Sequence, residues 1–341
     1  MQSTEELEAT IADMVQTGRG VLAADESAPT IAKRFAAIDL ESTEEHRRLW
    51  RCTLLTTEGL GEYISGVILF EETLGQKTDD GRSIPEAAWA QGIVPGVKVD
   101  RGTIPLAMAP GDLITQGLDG LAERLRDYRT QGARFAKWRE VYAIDEKVPS
   151  RQGIEANAEM LARYAAVCQA EGLVPIVEPE VLMDGAHDIE RHAEVTEAVQ
   201  HAVFDALRRH NVVLELMILK PNMILPGKDR RRAPPEEVAA ATLRVLHRTV
   251  PAAVPSVNFL SGGMGPEEST LNLDAINRLS PQSPWKLSIS FGRALQAPAL
   301  QAWQGRPENV PAAQQALAKR ARLNHLAMLG AYEEALERDG R

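Results

Sequence analysis

Several lysine, arginine, aspartate and glutamate residues stand at the ends of apolar runs, where a charge is costly to bury unless it meets a partner or a substrate. Asp25 closes Leu22-Ala23-Ala24, and Lys98 follows Val97 and precedes Val99-Asp100. Lys137 and Arg139 alternate in Phe135-Ala136-Lys137-Trp138-Arg139, Glu178 and Glu180 alternate in Val177-Glu178-Pro179-Glu180, and Lys220 ends Ile218-Leu219. A lysine attacks a carbonyl only as the neutral amine, yet an ordinary lysine titrates near about 10.4. Desolvation and neighbouring cations lower that value. Lys220 follows Leu216-Met217-Ile218-Leu219 and, if it shared a barrel mouth with Lys137 and Lys98, would receive both effects, which makes it the nucleophile candidate for imine formation. Glu178 and Glu180 are two residues apart, so in a strand they face one side. One could shuttle protons while the other holds a lysine. An architectural ion pair explains Lys137 with Glu178 equally well when that pair is taken alone. The whole ring of charges is harder to explain in that way.

Two further groups have the chemistry of anion sites. Leu260-Ser261-Gly262-Gly263 offers a hydroxyl and bare backbone N–H groups, and Ser290-Phe291-Gly292-Arg293 adds a bidentate donor. Ser-Gly-Gly alone is more often a turn, but barrels bind phosphate at the loops after strands seven and eight. Ser27, Thr30, Arg34 and Lys98 make a second candidate anion site on the side of strands one to three. Two such poles imply a doubly phosphorylated sugar. His187 and His192 lack the spacing of a helical metal pair and read as surface or helix-end histidines rather than zinc ligands. No metal and no cofactor are expected.

The elements that must position these groups follow from hydrophobic periodicity. Eight apolar runs are centred on 20–25, 66–70, 93–100, 135–144, 174–182, 214–223, 256–263 and 286–292, and runs such as Val67-Ile68-Leu69-Phe70 suit parallel strands covered by helices. Between them lie helical faces. Ile154, Ala158, Leu161, Ala165 and Cys168 step by four and three before Gly172, Val195 to Leu207 mark another face, and Pro235 starts one bearing Val238, Ala241, Val245 and Leu246. Strand and helix alternating eight times, with no Gly/Ser linker and no GxGxxG fingerprint, predict an α/β fold, a single (β/α)8 TIM barrel over 1–341. An N-terminal helix is expected over 1–17, with Ser3 and Glu6 as a capping box, and a C-terminal helix and tail over 311–341.

Composition narrows the classes. A formal net charge of −10 disfavours nucleic acid and anionic lipid, and the one dense basic run, 228–232, reads as a solvated loop. Cys52 and Cys168 are the only cysteines, too few for a disulfide framework, which fits a reducing compartment and a cytoplasmic location. No apolar stretch approaches the roughly 20 residues that span a bilayer, and the N-terminal segment does not read as a signal peptide.

From about Gly18 to Leu329 the chain resembles class I, Schiff-base fructose-1,6-bisphosphate aldolases. The resemblance rests on 20–27 (GVLAADES), 135–139 (FAKWR), 177–180 (VEPE), 219–223 (LKPNM), 259–263 (FLSGG) and 292–296 (GRALQ), in the family's order. It implies reversible cleavage of fructose 1,6-bisphosphate to dihydroxyacetone phosphate and glyceraldehyde 3-phosphate, without metal, as in glycolysis and gluconeogenesis. By resemblance Lys220 forms the imine, Glu178 serves as acid and base in carbinolamine dehydration, and Asp25 takes the C4 hydroxyl proton. Lys137 would stabilise charged intermediates, Glu180 would order that lysine, and Arg139 would lie close by in the substrate-binding set. Ser261, Gly262, Gly263, Gly292 and Arg293 would take the C1 phosphate, and Ser27, Thr30 and Lys98 the C6 phosphate. A homotetramer is the expected assembly. Animal members end in a tail whose final tyrosine assists proton transfer, whereas this sequence stops at Arg341, so that proton is expected to fall to another group such as Glu178 or a bound phosphate. Ala28-Pro29-Thr30 and Phe291 also depart from common family residues and are expected to tune phosphate contacts. The other readings weighed are a different preferred ketose, a noncatalytic barrel serving as an interaction protein, and a zinc-dependent aldolase.

Overall fold

Strands whose residues are buried along their whole length need cover on both faces, and here they obtain it from a closed barrel inside a shell of helices. The computed structural model describes residues 2–338, with side chains from Thr4 onward. The barrel strands are β1 (Gly20–Ala24), β2 (Ile64–Leu69), β3 (Val94–Lys98), β6 (Phe135–Tyr142), β7 (Val174–Val181), β8 (Ile218–Leu219), β9 (Ser256–Phe259) and β10 (Lys286–Phe291). They pair in parallel in the closed order β1-β10-β9-β8-β7-β6-β3-β2. A separate hairpin, β4 (Thr103–Pro105) and β5 (Leu113–Thr115), stands between β3 and β6. No strand pair was anticipated there, because Thr103–Pro105 is exposed and lacks an alternating apolar pattern.

The helices are α1 (Gln2–Met14), α2 (Ala28–Ala36), α3 (Glu44–Leu55), α4 (Glu71–Leu74), α5 (Ile84–Trp89), α6 (Leu121–Thr130), α7 (Arg151–Ala170), α8 (Ile189–Arg209), α9 (Pro235–Thr249), α10 (Pro266–Leu279), α11 (Arg293–Trp303) and α12 (Val310–Met328). Along α7, Ala158, Leu161, Ala165 and Cys168 are buried at the expected spacing, and on α9 Pro235 takes the first position. The main core lies between strands and helices, built around Trp50, Trp138, Trp303, Phe35 and Tyr164. A second cluster closes the end of the barrel opposite the charged residues: α1 inserts Leu7 and Met14 against Val21, Phe135, Ile176 and Ile218. Full burial of such a side chain is worth about 1.5–3 kcal/mol, so α1 acts as an apolar plug. Ser3 lies within α1 rather than ahead of it, and its side chain, like Arg341 at the end of the chain, is outside the described residues. Among the described residues no helix is long and apolar enough to cross a membrane.

Two boundaries differ from expectation. The sixth strand is only two residues long: Leu214–Leu216 forms a 3-10 turn, and Pro221, which has no N–H, follows Lys220. The C-terminal helix stops at Met328, where Gly330 turns with φ +65°, and a separate 3-10 turn occupies Glu334–Glu337.

Candidate active site

Barrel periodicity turns Lys137 and Arg139 of β6 inward with Glu178 and Glu180 of β7, while Trp138 and Tyr142 pack in the core outside the barrel. Parallel register pairs Lys98 with Lys137 and Arg139 with Glu178, so the charged strand ends arrive at one level. Together they line a cavity of ≈ 990 Å³ at the C-terminal mouth, along with Asp25, Ser27, Thr30, Lys220, Ser261, Gly262, Gly263, Gly292 and Arg293. Every sequence-derived site residue therefore lies on this one cavity.

At its floor Lys220, Glu178, Lys137 and Asp25 are only 3%, 3%, 4% and 8% exposed, so their charges interact with little solvent screening. Glu178 Oε1 is 3.1 Å from Lys220 Nζ, and its Oε2 is 3.0 Å from Lys137 Nζ. That second oxygen makes an ion pair but accepts no hydrogen bond among the described residues, which leaves a lone pair for a transferred proton. Lys137 donates to Asp25 Oδ2 at 2.9 Å. Burial pulls the Lys220 ammonium below its usual range; Glu178 opposes this, and Lys137 adds to it. Lys137 goes the other way, because Asp25, Glu178 and Asp100 outweigh its own burial. Asp25 is held well below the carboxylate range: burial favours its protonation, but the Lys137 and Lys220 charges prevail. Two lysines with opposite shifts at one carboxylate are the arrangement that separates a nucleophile from a permanent cation.

Glu180 does not order Lys137. It accepts from Arg139 Nε at 2.5 Å, while Asp25 and Glu178 take Lys137. The reason is the strand period: Glu180 stands two residues further toward the mouth than Glu178, level with Val141, which is two residues past Arg139 and four past Lys137, so the arginine is the nearer cation.

Short as it is, β8 is fixed by side chains where its ladder ends. The Lys220 N–H donates to Val177 O at 2.8 Å. Asn222 Oδ1 then accepts the Val181 N–H at 2.9 Å, and Asn222 Nδ2 donates to Thr196 Oγ1 at 3.2 Å. His192 accepts the Leu225 N–H on Nδ1 at 2.8 Å and lies 3.2 Å from Val181 O through Nε2. His192 is thus fully buried rather than superficial, although it sits in the first turns of α8, and burial lowers it to about 4.

One candidate anion pole stands at β9 and β10, and the other is divided between the end of the adjoining β1 and Lys98 on β3. Gly262 and Gly263 have φ of +51° and +97°, and a Cβ on Gly263 would meet Met183 Sδ at 3.0 Å, so glycine is required there. Among the described residues the N–H groups of Ser261, Gly262 and Gly263 have no acceptor. These residues line the cavity beside Arg293 in the first turn of α11, where no side chain caps the helix and Leu295 and Gln296 donate to Gly292 O. At the second candidate pole Ser27 Oγ lies 3.1 Å from Thr30 Oγ1, and Lys98 is paired with Asp100 at the cavity wall.

Several groups here had not been singled out. Glu26 receives Arg34, Arg51 and Gln296 and so fixes Arg34 at the cavity edge; its polar neighbours in sequence were the available signal. Lys228 and Arg232, read as a solvated run, are exposed but stand on the cavity rim, paired with Asp184 and Glu268. No three His, Cys, Asp or Glu side chains among the described residues converge as a metal-ion site.

The family model described as fructose-bisphosphate aldolase class-I matches residues 6–341. The chain belongs to the class I fructose-bisphosphate aldolase family. It is 53% identical to the cytoplasmic isozyme of fructose-bisphosphate aldolase from Spinacia oleracea, over 96% of this chain and 92% of that one. A probable class 1 fructose-bisphosphate aldolase from Xanthomonas axonopodis is 53% identical over 97% of this chain and 99% of its own. Among solved structures, fructose-bisphosphate aldolase from Plasmodium falciparum, crystallised with TRAP and a small-molecule inhibitor, superposes with a TM-score of 0.95 at 49% identity, covering 97% and 96% of the two chains.

Proposed function

We propose that this chain cleaves fructose 1,6-bisphosphate reversibly to dihydroxyacetone phosphate and glyceraldehyde 3-phosphate through an imine on Lys220. The observation that carries the reading is the fully buried Lys220, lowered in basicity and 3.1 Å from Glu178, beside a second lysine whose charge is locked by two carboxylates. Neutral Lys220 Nζ attacks the C2 carbonyl to give a carbinolamine. Glu178, having taken the proton that leaves Lys220 as it becomes the neutral amine, returns it to the departing hydroxyl, water leaves, and the iminium forms. Asp25 accepts the C4 hydroxyl proton as the C3–C4 bond breaks, and the electron pair passes into an enamine. Protonation at C3 and hydrolysis return Lys220. Lys137 stays cationic throughout and offsets charge on the oxygens, while Glu180 holds Arg139.

Ser261, Gly262, Gly263, Gly292 and Arg293 take the C1 phosphate. Ser27, Thr30, Lys98 and Arg139 take the C6 phosphate. Similarity to relatives named as cytoplasmic and cytosolic isozymes supports a cytoplasmic location, and the family's habit supports a homotetramer, which light scattering can check.

The test is borohydride reduction in the presence of dihydroxyacetone phosphate, followed by peptide mass mapping. The adduct is expected on Lys220 alone, and Lys220→Arg should fold but neither trap nor turn over. An adduct on another lysine, or none, would overturn the assignment.

A further inference from the structure

Glu140 is fully buried on β6, yet it lies outside the catalytic cluster. It shares the strand face of Trp138, away from the inward-facing Lys137 and Arg139. A carboxylate in such a place is costly unless its oxygens are used. Both are. Oε1 accepts the Trp138 Nε1–H at 2.8 Å, and Oε2 accepts the Thr115 N–H at 3.1 Å. Even so, burial pushes the carboxyl up to about 8.

Thr115 ends β5, the return strand of the hairpin that leaves the barrel after β3. Its hydroxyl also donates to Arg139 O at 2.8 Å, so Thr115 is fastened to two successive residues of β6. The outgoing limb starts at Asp100, whose carboxylate holds Lys98, accepts the Gly102 N–H at 3.3 Å and meets the Arg139 N–H at 3.4 Å. Arg101 and Gln116 close the base through Arg101 N to Gln116 O at 2.8 Å and Gln116 N to Gly102 O at 2.9 Å. Gly102 and Thr103 are themselves part of the cavity wall. Thr103–Pro105 is exposed while Thr115 is buried, so the outgoing limb is held by these polar ties, to which Arg124 adds bonds to Val99 O and Gly117 O beside the base. Asn157 and the Asp112–Ser150 contact hold only its far portion.

We infer that Glu140 is a positioning residue for the C6-phosphate pole: by fastening Thr115 to β6 it sets the hairpin base, and with it Lys98, Asp100 and Arg139, at the distance a terminal phosphate requires. The inference rests on the proposed aldol reaction. It assigns Glu140 no part in imine chemistry, so its effect falls on substrates that carry the distal phosphate.

The experiment compares kcat and KM for fructose 1,6-bisphosphate and fructose 1-phosphate in the wild type, Glu140→Ala, Glu140→Gln and Thr115→Val. Loss of one charge-assisted phosphate contact corresponds to about tenfold in affinity. Glu140→Ala should raise KM for the bisphosphate about tenfold, with fructose 1-phosphate changed less than about twofold. Glu140→Gln, which keeps one acceptor, and Thr115→Val should fall between. A variant that lowers both substrates equally, or leaves their ratio at the wild-type value, overturns the inference. If Glu140→Ala does not fold, Glu140→Gln and Thr115→Val decide it. A wild-type chain that cleaves neither ketose would instead defeat the proposed function itself.

Discussion

Replacing Glu178 by glutamine should move two properties of the site in opposite directions. The carboxylate lies 3.1 Å from Lys220 Nζ, and its charge raises the Lys220 pKa against burial. Two unit charges about 3 Å apart interact by about 5 kcal/mol at an effective dielectric of about 20. An amide dipole and local relaxation recover part of that, and taking half leaves about 2.5 kcal/mol, or roughly two pK units. Lys137 would remain cationic through Asp25 and would continue to disfavour a second charge on Lys220. The Lys220 midpoint should therefore fall by about two units in Glu178→Gln. Its reaction at neutral pH with an amine-acylating reagent, followed by mass mapping, should become faster. Cleavage of fructose 1,6-bisphosphate should nevertheless drop by roughly 10²–10⁴, the usual contribution of a general acid or base. An unchanged or higher midpoint would refute the reasoning, because Glu178 would then not be the group that retains the Lys220 proton.

Asp25→Asn should preserve borohydride trapping of dihydroxyacetone phosphate on Lys220 while reducing bisphosphate cleavage by about 10²–10⁴; cleavage near the wild-type rate would remove Asp25 from the proton-accepting role. His192 provides a pH-dependent stability test. Its pKa falls from 6.5 to about 4 on burial, so the unfolded chain binds the proton first as pH drops. The stability it permits is complete above about 6.5 and declines by about 3 kcal/mol toward pH 4. Urea midpoints at pH 7 and 4.5 should differ less in His192→Gln than in the wild type, and an equal difference would count against the buried neutral imidazole.

Much of the barrel was legible because strand and helix periods are local properties. The apolar runs containing Val67-Ile68-Leu69 and Val174-Pro175-Ile176-Val177 had no amphipathic alternative, and both are barrel strands. The sixth strand was overextended because Leu214-Glu215-Leu216 is apolar enough to pass for strand, while its 3-10 turn depends on contacts made elsewhere. The β4–β5 hairpin left no pattern to read, since polar ties to Glu140 and Asp100 fasten its base. His192 was misjudged for the same reason: its burial comes from Val181, Leu225 and Asn222, which are distant in sequence or on other elements.

For the site, residue types and strand-end positions were enough to nominate Lys220, Glu178, Lys137 and two candidate anion poles, with the role of Asp25 supplied by the family resemblance, because a whole ring of charges at the ends of apolar strands is costly to bury. Pairing was a different matter. Whether Lys137 meets Glu178, Glu180 or Asp25 depends on barrel register and on the separation of strands far apart in sequence, and the folded chain gives it Asp25 and Glu178 while Arg139 takes Glu180. Sequence alone could name the ionisable groups. Only the closed barrel, which brings Asp25 of the first βα connection within 2.9 Å of a lysine 112 residues away, decided which lysine keeps its proton and which can give it up.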